Sequence, residues 1–314
     1  MSRKSLTASP GLATAGRSGI SRLTVRDAID GYLFIMPWIL GFILFTAFPM
    51  GFSFLLTLMD WDLLGSQSWA GLSNYLQATS DPLVGVSLYN TGYFTVFSVP
   101  LRLAIALAGA LLLNASVRGL SFFRTAFYLP TIVPAVASVI LWMWIFNPSM
   151  GLLNMGMSAL GLPKQDWLWD VGLSKPSLIL MTLWTTGNVM IIFLAGLQAI
   201  PNHLYEAAKI DGAGGWSQFR HVTLPMLSPS ILFNLVMGII YSFQVFTSAF
   251  LMTKGGPLNS TLFTVLYLYQ AAFERFQMGY GSAIAWLLFV IILVFTILQW
   301  KLADVWVYYE GGEK

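Results

Sequence analysis

Six separate stretches of this chain are each long and apolar enough to cross a lipid bilayer, and that decides most of what it can fold into. A bilayer's hydrocarbon core is about 30 Å thick, so a helix rising about 1.5 Å per residue needs about 20 mostly apolar residues to span it. Residues 31–58, 91–113, 125–146, 177–199, 231–252 and 283–302 meet that requirement. None alternates apolar and polar residues as a barrel strand does. The expected fold is therefore all-α and integral to the membrane, with six transmembrane helices that each satisfy their own backbone. The first stretch carries Pro37 and Pro49, so a kink or a tilt is expected there. Only 9% of the 314 residues are charged, against about a quarter in soluble domains. The absence of cysteine excludes a disulfide scaffold, a thiolate metal site and a thiol nucleophile, and His203 and His221 leave little for His-based metal chemistry. A net charge of +3 points to no nucleic-acid partner.

Lys and Arg in the flanks set the expected direction. With the N-terminus in the cytoplasm, Arg3, Lys4, Arg17, Arg22, Arg26, Arg118, Arg124, Lys209, Arg220, Lys301 and Lys314 fall inside, against Lys164, Lys175, Lys254 and Arg275 outside. Both termini are then cytoplasmic: a basic tail over 1–30, a six-span domain over 31–302 and a second tail over 303–314. The first 25 residues are rich in Ser, Gly and Arg and lack the apolar core of a signal peptide. The outer connections 59–90, 147–176 and 253–282 are rich in aromatic residues, Gly and Pro. Trp61, Trp69, Tyr75, Trp167 and Trp169 there suit a headgroup belt or a contact with a soluble partner. Asn147-Pro148-Ser149 and Gly255-Gly256-Pro257 read as turns.

The cytoplasmic connection 200–230 is too long for a simple hairpin and has helical order of its own. Pro201 and Asn202 give a start signal, Leu204, Ala207 and Ala208 make an apolar stripe, and Gly212 ends the helix. Gly214 and Gly215 allow a change of direction. Trp216, Phe219 and Val222 form a second short apolar face, which Pro225 closes before the fifth span. Small residues at the centre of an exposed helix let another surface approach its backbone, and Glu206 and Lys209 beside them set register with a partner. Such a helix suits docking; no nucleophile–base pair is present to suit catalysis.

The spacing Glu206-Ala207-Ala208, three residues, Gly212, nine residues, Val222-Thr223-Leu224-Pro225 resembles the EAA motif of the membrane subunits of bacterial ABC importers, with Val222 in place of Ile. The flanks Gly196-Leu-Gln-Ala-Ile-Pro201, Asp211-Gly-Ala and Lys254-Gly-Gly-Pro257 resemble carbohydrate-uptake permeases akin to the first membrane subunit of maltose transporters. So do Phe122-Phe-Arg-Thr-Ala-Phe-Tyr-Leu-Pro-Thr131 and Trp144-Ile-Phe-Asn-Pro148. The resemblance runs from Tyr32 to the last span and implies a type I ABC importer permease fold in a bacterial inner or plasma membrane. It also implies a second six-span permease, two ATPase subunits and an extracytoplasmic solute-binding protein. The chain has no G-x-x-x-x-G-K-[ST] run, so ATP and magnesium would belong to the ATPase subunits. Glu206, Ala207, Ala208, Asp211, Gly212, Leu224 and Pro225 would then carry motion from those subunits. A duller reading lays this Ala-rich helix in the lipid interface.

For a sugar, stacking faces and hydrogen-bonding side chains are sought on spans four and five. Trp184, Thr185 and Asn188 share one face, and Asn234, Tyr241, Gln244 and Ser248 follow helical spacing, with Ser242 adjacent. Interhelical bonding is the alternative use of each. Arg102 stands about mid-span, where an arginine costs about 2.5–3.5 kcal/mol. It meets an anionic solute such as a uronate or a glycerophosphate, or it snorkels or bonds carbonyls freed by Pro100; the second use needs no ligand and is preferred on sequence alone. A secondary transporter or a membrane enzyme is disfavoured, because no span contains Asp, Glu, His or Cys.

Overall fold

The computed structural model describes residues 22–62, 65, 67–115 and 119–308. Arg3, Lys4, Arg17, Arg118 and Lys314, most of the expected N-terminal tail and half of the C-terminal one lie outside them. The chain divides into two compact units, 1–53 and 54–314. In the first, Arg22–Phe42 is α-helical straight through Pro37, and the expected kink appears instead as a π-turn, Ile43–Ala47, just before Pro49. The cause is local. A proline ring collides with the carbonyl four residues back, and the wider turn, in which the Phe48 N–H reaches the Ile43 carbonyl, relieves it. Helix begins at Arg22, nine residues ahead of the expected start of the first span.

Among the described residues, four helical runs have the length and composition to cross a membrane, and the total rises to six when each of two bent pairs counts as one span. Pro82–Asn114 starts earlier than expected because Asp81 caps it, accepting the Leu83 N–H at 2.9 Å. The third span breaks into Leu120–Ile132 and Ala135–Ile145, bent by 99°. Val133 is forced to the extended conformation that a following proline demands (ψ 129°), and Pro134 has no N–H to continue the ladder. The fourth splits into Ser174–Leu183 and Gly187–Ala199, bent by 46°. The fifth runs unbroken from Gly215, through a π-turn at Phe219–Thr223, to Phe243. It stops there and resumes as Thr247–Met252. Pro225 therefore closes nothing: it sits in the first turn of Leu224–Phe243, two residues past a π-turn, as Pro49 does. The last helix extends over Met278–Trp306, four residues past the expected end of the sixth span.

The three connections expected outside are more ordered than turns. In 59–90, Met59–Asp60 pairs antiparallel with Ser68–Trp69, and Ser73–Ser80 forms a helix. In 147–176, Asn154 spends its amide fully. It donates to the Pro148 and Gln165 carbonyls and accepts from the Gln165 N–H and Trp167 Nε1, all at 2.8–3.0 Å. Trp167 is thereby a packing residue, while Trp169 is exposed. In 253–282, Leu262, Phe263, Leu266 and Tyr267 are buried. A polar seam fastens this loop to two spans. Asn90 donates to the Asn259 and Leu262 carbonyls and accepts from Lys175 Nζ, and the Ser174 and Ser260 hydroxyls lie 2.8 Å apart.

Beside a small cluster of Leu232, Ala303 and Val307, two large apolar clusters hold the second unit. One gathers Phe94, Val139, Phe146, Leu178, Phe263 and Ile284; the other gathers Ala106, Ala110, Met190, Phe193, Leu197 and Leu227. Both use Pro82–Asn114, one around Phe94 and the other around Ala106–Leu113. The stretch between them on that helix is where tight packing gives way to a cavity.

Candidate coupling helix and transport cavity

The connection 200–230 begins with the helix Asn202–Ile210, with Pro201 in extended conformation at the position before it. It ends in a Schellman arrangement: the Ala213 N–H reaches the Ala208 carbonyl at 2.8 Å and the Gly212 N–H reaches that of Lys209 at 3.0 Å. Gly212 has φ +78°, a left-handed conformation that glycine alone adopts without penalty. The change of direction is completed here, and Gly214 and Gly215 have ordinary negative φ or helical backbone.

The two faces of this helix differ from the expected stripe. Leu204, Tyr205 and Ala208 are half-buried, whereas Glu206, Ala207, Lys209 and Ile210 are exposed. Ala207 thus belongs to the outer face, with Glu206. Leu204 and Tyr205 pack on the second apolar cluster, together with Val222 and Met226. The Tyr205 and Thr223 hydroxyls, 3.0 Å apart, tie the helix to the root of the fifth span. Leu224 and Pro225 stand in that root's first turn, and Asp211 is the C-cap residue. The Trp216 and Phe219 rings lie 5.4 Å apart, and Trp216 is 73% exposed, so among the described residues that end of the second apolar face stays open while Val222 packs inward. His203 is exposed, and His221 Nδ1 lies 3.0 Å from the Ser217 carbonyl.

A 390 Å³ cavity opens where Pro82–Asn114 faces the fourth and fifth spans. Of the residues singled out from sequence, Arg102, Asn188, Asn234, Tyr241 and Ser242 line it. Trp184, Thr185, Gln244 and Ser248 do not. Trp184 packs edge-on against Trp142, Gln244 is exposed as the cap of the helix that stops at Phe243, and Thr185 turns its hydroxyl to the Thr182 carbonyl. The reason is the pair of helix breaks: a straight-helix spacing rule does not hold across Trp184–Thr186 or Gln244–Phe246. Ser242 also bonds across helices, its Oγ lying 2.9 Å from Thr95 Oγ1.

The other lining residues were passed over on sequence, Phe94, Ser98 and Thr182 among them. Phe94, Ser98 and Arg102 follow one another at intervals of four on one face, a signal that only a search of the second span would have found. Arg102 does not bond carbonyls freed by Pro100. Its Nη2 donates to the Thr185 carbonyl at 2.9 Å, an acceptor left over by the bend in the fourth span, and its buried Nε has no partner.

Residues 100–303 match the family described as the inner membrane component of binding-protein-dependent transport systems. The chain belongs to that family. This permease is 42% identical to the probable ABC transporter permease protein YesP of Bacillus subtilis (strain 168), over 94% of this chain and 96% of the relative. It is 35% identical to the trehalose/maltose transport system permease protein MalF of Thermococcus litoralis, over 90% and 96%. In fold it is similar to a solved bacterial ABC transporter involved in the import of the acidic polysaccharide alginate, with a TM-score of 0.80 at 23% identity over 90% of this chain and 99% of that one. The permease is thus a multi-pass membrane protein with the type I importer fold, and a permease component of a transport system.

Proposed function

We propose that this permease, paired with a second six-span permease, carries a carbohydrate into the bacterial cytoplasm. Two ATPase subunits supply the energy and an extracytoplasmic binding protein delivers the solute. Both termini lie in the cytoplasm, as the Lys and Arg balance favours. Relatives named for maltose, lactose and arabinooligosaccharide transport support the solute class. An anionic solute, a uronate or a glycerophosphate, is a second reading, and Arg102 in the cavity wall favours it.

The observation that carries the coupling half of the reading is the two-faced helix Asn202–Ile210. Its outer face offers Glu206 and Ala207 to a partner, while Leu204 and Tyr205 rest on the cluster that also holds Met190, Phe193 and Leu227. Those residues lie on the same helices as the cavity residues Asn188 and Asn234. A push on the outer face therefore reaches the cavity through packed side chains, which have discrete arrangements and do not deform smoothly. ATP and magnesium are held by the ATPase subunits, which grip Glu206, Ala207, Ala208 and the turn at Asp211–Gly212. Leu224 and Pro225 pass the motion into the fifth span.

The test is uptake of radiolabelled saccharide into proteoliposomes holding the two permeases and the ATPase subunits. Uptake is expected only with ATP inside the coupling compartment and binding protein on the other side, and Glu206→Lys should abolish it. Uptake that persists without ATP, or that is untouched by Glu206→Lys, would contradict the proposal.

A further inference from the structure

Arg102 is the one charged residue in the cavity wall; the rest of the lining is apolar or neutral polar, with Ser98, Asn188, Asn234, Tyr241 and Ser242 among it. A guanidinium offers five N–H donors. Among the described residues only one of them has a partner, the Nη2 donor on the Thr185 carbonyl, while Nε is buried and unmatched. No carboxylate lines the cavity to neutralise the charge. Its Nη2 is tied to the backbone of the fourth span at Thr185, and the residue stands about midway along the apolar stretch 91–113. A permanent cation in a low-dielectric wall, with donors to spare and no counter-ion, is a site waiting for an anion.

We propose that the cavity takes a carbohydrate bearing a carboxylate, a uronate residue, and that Arg102 pairs with the carboxylate while Asn188, Asn234 and Tyr241 meet hydroxyls and ring faces. This rests on the carbohydrate reading above and narrows it. A planar carboxylate matches one guanidinium fork; a phosphate dianion asks for more positive charge than this wall contains. The volume of 390 Å³ falls in the roughly 300–1,000 Å³ range of small-molecule sites. The aromatic and amide lining suits sugar rings better than it suits a bare organic acid.

The experiment uses the complete importer in proteoliposomes and matched monosaccharide pairs, galacturonate against galactose and glucuronate against glucose. It measures ATP-dependent uptake, and binding to the detergent-purified complex without binding protein. The wild type is expected to prefer the acidic member of a pair. Arg102→Gln keeps a donor for the Thr185 carbonyl but removes the charge, and should lower the acidic-to-neutral ratio by about tenfold or more. Arg102→Lys should keep most of the preference, and serves as the readout if the Gln form fails to assemble. A wild type that prefers the neutral members overturns the proposal and leaves carbohydrate import standing. So does an Arg102→Gln complex in which both members fall together, which would make Arg102 a brace for the bent helix or the partner of a carboxylate on the second permease. If no saccharide of either kind moves with ATP, the carbohydrate reading itself fails.

Discussion

Gly212 offers a clean separation of geometry from contact. Its φ of +78° lies in the left-handed region, and a Cβ added there would meet nothing within 4 Å. Substitution therefore carries no steric clash inside the chain, and its cost is conformational: about 1–2 kcal/mol for an ordinary L-residue. That is a roughly 5–30-fold shift against the turn that Gly212 and Ala213 close through the Lys209 and Ala208 carbonyls. Asn tolerates this conformation best, Ala bears the stated cost, and Val, β-branched, bears more. Uptake by the reconstituted importer, divided by the amount of ATPase subunit retained, should fall in the order Gly, Asn, Ala, Val, with Val down by tenfold or more. A Val form that pumps as well as the Asn form would refute the reasoning. Three equally dead variants would refute it too, since that pattern marks a surface buried against a partner and not a turn.

Other consequences follow from packing and charge. A Cβ at Gly187 would lie 2.6 Å from the Phe127 carbonyl oxygen and 3.0 Å from Tyr128 Cα, both backbone, so Gly187→Ala should destabilise the purified complex by about 1–3 kcal/mol, read as a lower Tm. Tyr205→Phe removes the hydroxyl facing Thr223 and should cost about 0.5–1.5 kcal/mol, with uptake reduced more than assembly. Asp81 accepts from the Tyr267 and Tyr280 hydroxyls and from the Leu83 N–H. Burial pushes its pKa up, but those bonds and the Arg275 charge outweigh burial and hold it below the usual 3.8. A depressed folded value means the carboxylate stabilises fully above the unfolded pKa and less as pH falls through the folded one. The wild type should therefore lead Asp81→Asn in thermal stability by a constant margin from about pH 7 to 5, and the margin should shrink below about pH 4; a margin that vanishes by pH 6 would contradict this.

The membrane-spanning character was legible because it depends on composition and length, and these hold whatever the packing. The turn at Gly212 was legible because left-handed backbone selects glycine. What escaped was tertiary. The breaks at Trp184–Thr186 and Gln244–Phe246 follow from how the spans pack, and they removed Trp184 and Gln244 from a wall that ideal helical spacing had placed them in. The 99° bend fell in a stretch taken as one unbroken span: Pro134 was passed over there, and a proline in an apolar run signals a kink without its angle. Arg102 was noticed for its charge, yet its acceptor, the Thr185 carbonyl, exists only because another helix bends.

The central claim is that the outer face of Asn202–Ile210 takes force from a separate ATPase. The chain has no cysteine, so Ala207→Cys creates a single thiol on an exposed position, ready for a benzophenone maleimide. Photolysis of the assembled importer should join this chain to an ATPase subunit, in a yield that changes between nucleotide-free and ATP-bound complex. An importer that transports while the Ala207→Cys label reacts only with lipid or water, in both nucleotide states, would contradict the account.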